Sequence, residues 1–192
     1  FNWADWYDVT SPVSQNLNSV SMNGFKGWIV GDNGTLLLSS DRGVNWTLIN
    51  SGVNNNLNCV LFSDTLNGWI TGSNGLIMKS TNGGLNWNIK PSGTTANLKS
   101  FLPYSSVGSN GTYRISTNLG DTWLTDYTGT QKSINSLYNI DPYSNSIGPV
   151  IVGDSGLILR RDIDSSYIFR KLEENTIRSY FCSSGIFNQN IQ

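Results

Sequence analysis

A repeat of about 40 residues constrains the fold of this chain more than any other feature. Four consecutive units align, and they cover residues 17–56, 57–97, 98–133 and 134–176. The first two units match best, with Trp28 aligned to Trp69 and Gly34 to Gly75. A repeat of this period indicates an array of similar supersecondary units, each of which buries its apolar face against its neighbours.

Each unit contains short β-rich runs, such as "GWIV", "TLLL" and "NWTLI", separated by glycine-containing turns. Four such strands in about 40 residues are typical of a blade of a β-propeller. The composition also favours strands over helices. The chain has 20 glycines and only two glutamates, Glu173 and Glu174, and so contains few residues that favour a helix. With 38% hydrophobic residues and seven tryptophans, the chain can bury a core. The predicted fold class is all-β, a propeller of four-stranded blades.

The spacing at the chain ends predicts how the ring closes. From Trp46, Trp87 and Trp123 to the first residue of the next unit is 11 positions, as it is from Trp6 to Leu17. Residues 5–12 are therefore expected to form an outer strand, and residues 177–192 the early strands of the same blade. This composite blade, 177–192 plus 1–16, makes five blades and removes exposed sheet edges. The alternative is a longer native chain with more blades, which the start at Phe1 instead of Met also suggests.

A turn motif, S-x-[DN]-x-G-x-x-W, recurs three times before the predicted outer strand. Its positions are Ser39, Asp41, Gly43 and Trp46; Ser80, Asn82, Gly84 and Trp87; Ser116, Asn118, Gly120 and Trp123. Aspartate and asparagine both accept amide hydrogen bonds, but only aspartate is charged. Replacement of aspartate by asparagine would therefore abolish a calcium site or a general acid. The motif is predicted to be structural. The "GDNG" type sequences are predicted to be tight hairpin turns, since no helix follows to bind a phosphate.

These motifs resemble the Asp-box (bacterial neuraminidase repeat) propellers. The combination of a Gly-Trp-x-x-Gly strand with the box, in "GWIVGDNGTLLLSSDRGVNW", is most similar to the photosystem II stability and assembly factor type. That resemblance implies a non-catalytic platform that binds a reaction-centre subunit through a basic patch. The 12 basic residues are few and scattered, among them Lys99, Arg114, Arg160, Arg161 and Arg178. Asp-box propellers also include sialidases and adhesins, so the fold does not by itself assign a function.

The residue inventory argues against catalysis. The chain has no histidine, which excludes a Ser-His-Asp triad and the usual zinc sites. The Phe-Arg-Ile-Pro motif of sialidases is absent, and the carboxylate pair Asp162 and Asp164 is best explained as a solvated turn. Cys59 and Cys182 lack metal-type spacing and are predicted to be buried small hydrophobes, with their pairing left open. We therefore expect no enzyme, no metal and no cofactor.

The charge of the chain limits the classes of partner that it can bind. With a net charge of -1, 13% charged residues and no basic run, the chain lacks the surface that nucleic acid or an anionic membrane requires. No stretch approaches the roughly 20 apolar residues of a membrane helix, so no membrane insertion is expected. Two hypotheses remain: a non-enzymatic protein-binding or assembly platform, and a glycan-binding or adhesin-like surface. An extracytoplasmic location is favoured.

Candidate binding residues lie where the chain departs from its repeat or where the repeat converges. Trp3, Tyr104 and Tyr143 fall outside the pattern and could stack on a ligand, although packing at the closure seam or in loops would also explain them. The second positions of the units are expected to ring the mouth of the central channel: Asn18, Asn58, Lys99, Asn135 and Arg178. Such a ring could hold a small anion or an acidic side chain, or it could simply be hydrated.

Overall fold

The computed structural model describes residues 6–102, 104–138 and 147–162. The strands in these ranges are β1 (Leu17–Asn23), β2 (Lys26–Gly31), β3 (Leu36–Ser39), β4 (Thr47–Ile49), β5 (Leu57–Phe62), β6 (Gly68–Gly72), β7 (Ile77–Ser80), β8 (Asn88–Ile89), β9 (Leu98–Leu102), β10 (Ser105–Gly108), β11 (Tyr113–Ile115), β12 (Leu124–Asp126), β13 (Ile134–Tyr138), β14 (Ile147–Gly153) and β15 (Leu157–Asp162). The expected predominance of β-structure is confirmed.

The strands form four antiparallel sheets that follow one another along the chain. Blade A contains β1 to β4, blade B contains β5 to β8, blade C contains β9 to β12, and blade D contains β13 to β15 within the described residues. Each strand pairs with its neighbour in sequence. The prediction of four strands per unit is therefore confirmed for the first three units.

The first strands of successive blades contact one another, β1 with β5, β5 with β9 and β9 with β13. This arrangement places the first strands innermost and lets each sheet pack its face against the next sheet. Three apolar clusters fill the spaces between blades, and each combines strands of two neighbouring blades. The A–B cluster, for example, contains Trp28 and Val30 of blade A with Phe62 and Ile70 of blade B. Face-to-face packing of successive sheets is the way in which these units bury their apolar residues.

The turns between second and third strands are tight hairpins, as predicted. In the first copy, Asn33 and Gly34 both have positive φ angles, of 55° and 71°. The Gly34 N–H donates to the carbonyl of Asn55, which lies in the linker to the next blade, at 2.8 Å. The equivalent glycine in blade B, Gly75, is so close to the linker from blade B to blade C that an added Cβ would lie 1.8 Å from the carbonyl oxygen of Thr94. Each of these turns therefore holds the linker that leads to the following blade.

The predicted outer strand at residues 5–12 is not formed in its described part. Residues 6–16 contain no strand, and the side chain of Trp6 is fully exposed. A strand needs a partner to complete its hydrogen bonds, and none of the described strands pairs with this segment. Residues 1–5 and 163–192 lie outside the described ranges, so closure by a composite fifth blade stays a prediction.

Candidate functional site

The S-x-[DN]-x-G-x-x-W turns, called the Trp turns below, are held together by their own side chains. In the first Trp turn, Ser39 Oγ accepts the N–H of Gly43 at 2.9 Å and donates to Asp41 Oδ1 at 2.8 Å. Asp41 Oδ1 also accepts the N–H of Asn45 at 2.9 Å. The indole Nε1 of Trp46 donates to the carbonyl of Gly43 at 3.0 Å. The side chains thus satisfy the backbone groups that a reversal of direction leaves unpaired.

The other two Trp turns repeat this network with asparagine. Asn82 Oδ1 accepts the N–H of Asn86 at 3.0 Å, and Asn118 Oδ1 accepts the N–H of Thr122 at 2.9 Å. The hydrogen bonds, first of all the one from the Asn45 N–H, lower the pKa of Asp41 from 3.8 to about 2. Asp41 is therefore ionised at neutral pH, yet the geometry uses its oxygen as an acceptor in the same way as the amide oxygens. We infer that the motif serves the turn and not a reaction.

The tryptophans of the second strands join neighbouring blades. Trp28 Nε1 donates to the carbonyl of Gly83, in the Trp turn of blade B, at 3.1 Å. Its ring stacks on Phe62 with 3.5 Å between centroids, and Phe62 meets the edge of Trp87. The pattern recurs one blade later, where Trp69 Nε1 donates to the carbonyl of Leu119 at 3.1 Å. Trp69, Phe101 and Trp123 form the corresponding aromatic contacts.

The predicted channel residues of the described blades lie at β-bulges. The pairing of first and second strands skips one residue between Leu17 and Ser19, and again in the other three blades, so that Asn18, Asn58, Lys99 and Asn135 are left unpaired in the ladder. A bulge redirects the side chain of its extra residue. Here the side chains point toward the next blade: Asn18 Nδ2 donates to the Leu57 carbonyl at 3.0 Å, and Asn58 Nδ2 donates to the Leu98 carbonyl at 2.8 Å.

Lys99 and Asn135 continue this series. Lys99 Nζ donates to Asn135 Oδ1 at 2.7 Å, and Asn135 Nδ2 donates to Asp154 Oδ1 at 2.7 Å. In blade A, hydrogen bonds from Asn18 and Asn16 lower the pKa of Asp32. The donors of the ring are thus directed at acceptors of the protein itself, and Asp32 and Asp154 bring negative charge to the same place. Anion binding by this ring stays a prediction, which the geometry does not favour.

The two ends of the blade array have different chemistry. One end, called the amide end, carries the turns between second and third strands and the linkers between blades. An open cleft of about 640 Å³ lies there, lined by Asn55, Asn74, Gly75, Leu76, Ile89, Ser92, Gly93, Thr94 and Thr95. The opposite end carries the turns between first and second strands together with the Trp turns, which are joined by backbone hydrogen bonds such as Arg42 N–H to Phe25 carbonyl at 2.9 Å. It is called the Trp-turn end.

The structure does not bring the candidate binding residues together. Tyr104 is half-exposed between β9 and β10 at the Trp-turn end, whereas the channel residues lie near the amide end. Trp3, Tyr143 and Arg178 lie outside the described residues, as do Cys182, Asp164 and the two glutamates. Cys59 forms no disulfide among the described residues, and burial raises the pKa of its thiol.

A polar cluster between blades C and D was missed by the sequence reasoning. In the register of the sheets, Ser105 takes the place that Trp28 and Trp69 hold in the first two blades. Nearby, Arg161 Nη1 lies 3.4 Å from Asp126 Oδ2, and burial raises the pKa of Asp126. The signal was present in the alignment, since the third unit lacks the Gly-Trp pair. What replaces the tryptophan could not be read from it, because the replacing side chains come from distant strands.

In the described ranges, no group of three or more His, Cys, Asp or Glu side chains could hold a metal ion. The helical elements of the described part, the 3-10 turns Asp32–Gly34 and Ser73–Gly75, are too short to cross a membrane.

Comparison with known proteins identifies the architecture. The chain is similar to YCF48 from Cyanidioschyzon merolae, with a TM-score of 0.59 and 21% identity over 85% of this chain and 61% of that chain. It is also similar to a YCF48 solved with a D1 peptide bound, with a TM-score of 0.64 and 18% identity over 86% and 59% of the two chains. The fold is a β-propeller. The expected fold class is confirmed, as is the resemblance, at the level of fold, to the photosystem II assembly factor type.

A computationally designed protein, Ika4, is matched over its entire length by 84% of this chain, with a TM-score of 0.64 and 13% identity. By contrast, this propeller chain spans about 60% of the length of the two YCF48 chains. Neither the protein-family models nor the curated proteins contain a match.

Proposed function

We propose that this β-propeller is a non-enzymatic platform that binds another protein. The observation that carries the proposal is its similarity, over most of its length, to a YCF48 propeller solved with a peptide bound. The repeated polar side chains support it as well, because those of the Trp turns and the bulges are engaged in holding turns and neighbouring blades. A rigid scaffold with its polar groups satisfied internally presents surfaces for recognition.

Purification of the tagged chain from its native source under mild detergent tests the proposal. Mass spectrometry of the intact assembly should then show a protein partner at constant stoichiometry. The designed protein Ika4, which is similar to this chain in fold, carries the same tag and is expressed in the same cells as the control; it should not recover that partner. Recovery of the chain alone, or of the same proteins with both baits, would contradict the proposal.

Glycan binding is the second candidate, and the exposure of Tyr104 favours it. An exposed aromatic ring can stack on the face of a sugar, and amide side chains can bind its hydroxyl groups. Binding of the chain to a broad glycan panel, abolished by Tyr104→Ala, would support this function. A panel without binding would exclude it for this surface.

A further inference from the structure

At the Trp-turn end, each turn of blades A, B and C exposes an apolar residue. Six such residues are between 50% and 69% exposed: Phe25, Val44, Leu66, Leu85, Tyr104 and Leu119. They come from blades A, B and C, two from each blade, and the turns that carry them are contiguous. Trp28 of blade A reaches the Trp turn of blade B, and Trp69 of blade B reaches that of blade C. Repeated exposure of apolar side chains at one end of a domain marks an interaction surface.

Turn geometry does not require these residues. At the amide end, the corresponding exposed turn positions of the four blades are polar: Asn33, Asn74, Asn110 and Ser155. Those turns are shorter than the Trp turns, and their exposed residues adopt positive φ angles, which asparagine tolerates. The exposed turn residues of the amide end are thus three amides and a hydroxyl, whereas those of the Trp-turn end include one apolar side chain per turn in blades A, B and C.

The backbone conformation of Leu119 also bears on whether the Trp-turn end is an interaction surface. Its φ angle is 57°, in the left-handed region that a leucine adopts only at a cost in free energy, and its side chain is half-exposed. The equivalent residues are Arg42 in blade A, which is also left-handed with a φ of 65°, and Gly83 in blade B, which adopts a φ of 75° without strain. Neither the backbone nor burial favours leucine at this position. A contact of the Leu119 side chain with a partner would offset this cost.

Two cations accompany the apolar residues. The guanidinium of Arg42 lies 4.0 Å from the ring centroid of Phe25, and Lys26 follows Phe25 in sequence. Within the described part of the chain, neither cation belongs to a salt bridge. The carboxylates at this end are engaged within the protein: Asp41 and Asp64 accept hydrogen bonds from their own turns, which lower the pKa of each to about 2, and Asp121 pairs with Lys79 and Lys90. The available charged groups are thus donors, which complement a carboxylate.

We propose that the Trp-turn end binds a protein segment that carries apolar and acidic side chains, an inference that rests on the proposed function. The apolar residues would pack against the turns, and a carboxylate would pair with Arg42 and Lys26. A second copy of this chain fits less well, since a symmetric contact would bring the same cations together. An anionic membrane fits less well because a flat anionic surface would also face the ionised Asp41 and Asp64, whereas a single carboxylate of a peptide can pair with Arg42 and Lys26 alone.

Binding of two synthetic amphipathic peptides tests this inference. One peptide has a leucine face and a glutamate face, and the other has lysine in place of every glutamate. Fluorescence anisotropy should show that the leucine–glutamate peptide binds at least about ten-fold more tightly than the leucine–lysine peptide. Phe25→Ser combined with Leu66→Ser should weaken its binding by about ten-fold or more. The matched control, Leu48→Ser with Ile89→Ser, removes equally exposed apolar residues from the outer strands and should leave binding unchanged.

Leu119→Gly separates binding from folding. It relieves the left-handed strain, so the midpoint of unfolding should not fall, while binding of the leucine–glutamate peptide should weaken. Equal binding of both peptides, no binding of either at about 1 mM, or an equal loss in the outer-strand control would overturn the inference. So would binding of phosphatidylserine vesicles without the peptide, or a dimer of this chain that the Phe25 and Leu66 substitutions dissociate. A native partner that still binds the substituted chain would overturn this inference and leave the proposed function standing.

Discussion

At the residue scale, the carboxylate oxygen of Asp41 and its negative charge have different roles. The carboxylate oxygen of Asp41 and the amide oxygens of Asn82 and Asn118 accept the same backbone hydrogen bond four residues along the chain. The sequence predicts this structural use, since the exchange of acid for amide keeps the acceptor, and the hydrogen bonds are consistent with it. The charge nevertheless has a consequence, because ionisation of Asp41 is linked to folding.

Asp41→Asn should reduce the sensitivity of the fold to acid. The folded-state pKa of Asp41 is lowered to about 2, so its contribution to stability is present above its unfolded pKa of about 3.9 and is lost as the pH falls toward 2. The variant should match the wild type at pH 7 and lose less stability between pH 4 and pH 2 in urea titrations. The reciprocal change, Asn82→Asp, should increase the loss in that window. An identical pH dependence of all three proteins would show that this carboxylate is not linked to folding.

Gly75→Ala should destabilise the protein far more than Gly52→Ala. Both glycines have positive φ angles, of 70° and 79°, so alanine costs about 1–2 kcal/mol at either position. At Gly75 the new Cβ would also lie 1.8 Å from the Thr94 carbonyl oxygen, whereas nothing lies within 4 Å of a Cβ at Gly52. Chemical denaturation measures the difference. Equal losses for the two variants would mean that the linker is not held against the turn.

At the element scale, the interfaces between blades are what the sequence predicted least. The repeat revealed which positions carry tryptophan, and it predicted the strands and turns of the first three units correctly, because both depend on residues near in sequence. It did not reveal that Trp28 stacks on Phe62 of the next blade, since that contact depends on how two sheets pack. The bulges at the unit starts were missed for a similar reason. A bulge is defined by the pairing of two strands and leaves no fixed residue type.

Trp69→Ala should cost about 3–5 kcal/mol in free energy of unfolding. The substitution removes a buried ring between blades B and C and leaves the carbonyl of Leu119 without its indole donor. Ile89→Ala, at an exposed position of the same blade, should stay within about 0.5 kcal/mol of the wild type. Thermal and urea unfolding provide the values. A loss below 1 kcal/mol for Trp69→Ala would mean that the interface does not hold the blades together.

At the scale of the whole molecule, the interfaces between blades are unequal. Each of the A–B and B–C interfaces contains a tryptophan from one blade packed on a phenylalanine of the next. The C–D interface has Ser105 in that position and a partly buried ion pair of Asp126 with Arg161. Buried ion pairs contribute less to stability than apolar packing of similar volume. The propeller fold could be predicted from the sequence, whereas this gradient in stability required the structure.

Native-state hydrogen exchange should reveal the gradient. The amides of β14 are expected to exchange through openings of lower free energy than those of β6, the second strand of blade B. Mass spectrometry of peptic fragments resolves the two strands. Equal opening free energies would show that the polar interface is as strong as the aromatic ones.

The contacts of blade B also show how such a chain can lengthen. Its Phe62 and Gly83 receive the tryptophan of the preceding blade, and its own Trp69 reaches forward to Phe101 and Leu119. One unit thus contains both the tryptophan that contacts the next blade and the residues that receive the tryptophan of the preceding blade. A tandem duplication of residues 57–97 would place Trp69 of the first copy against Phe62 and Gly83 of the second. Growth by gene duplication therefore requires no new interface to evolve.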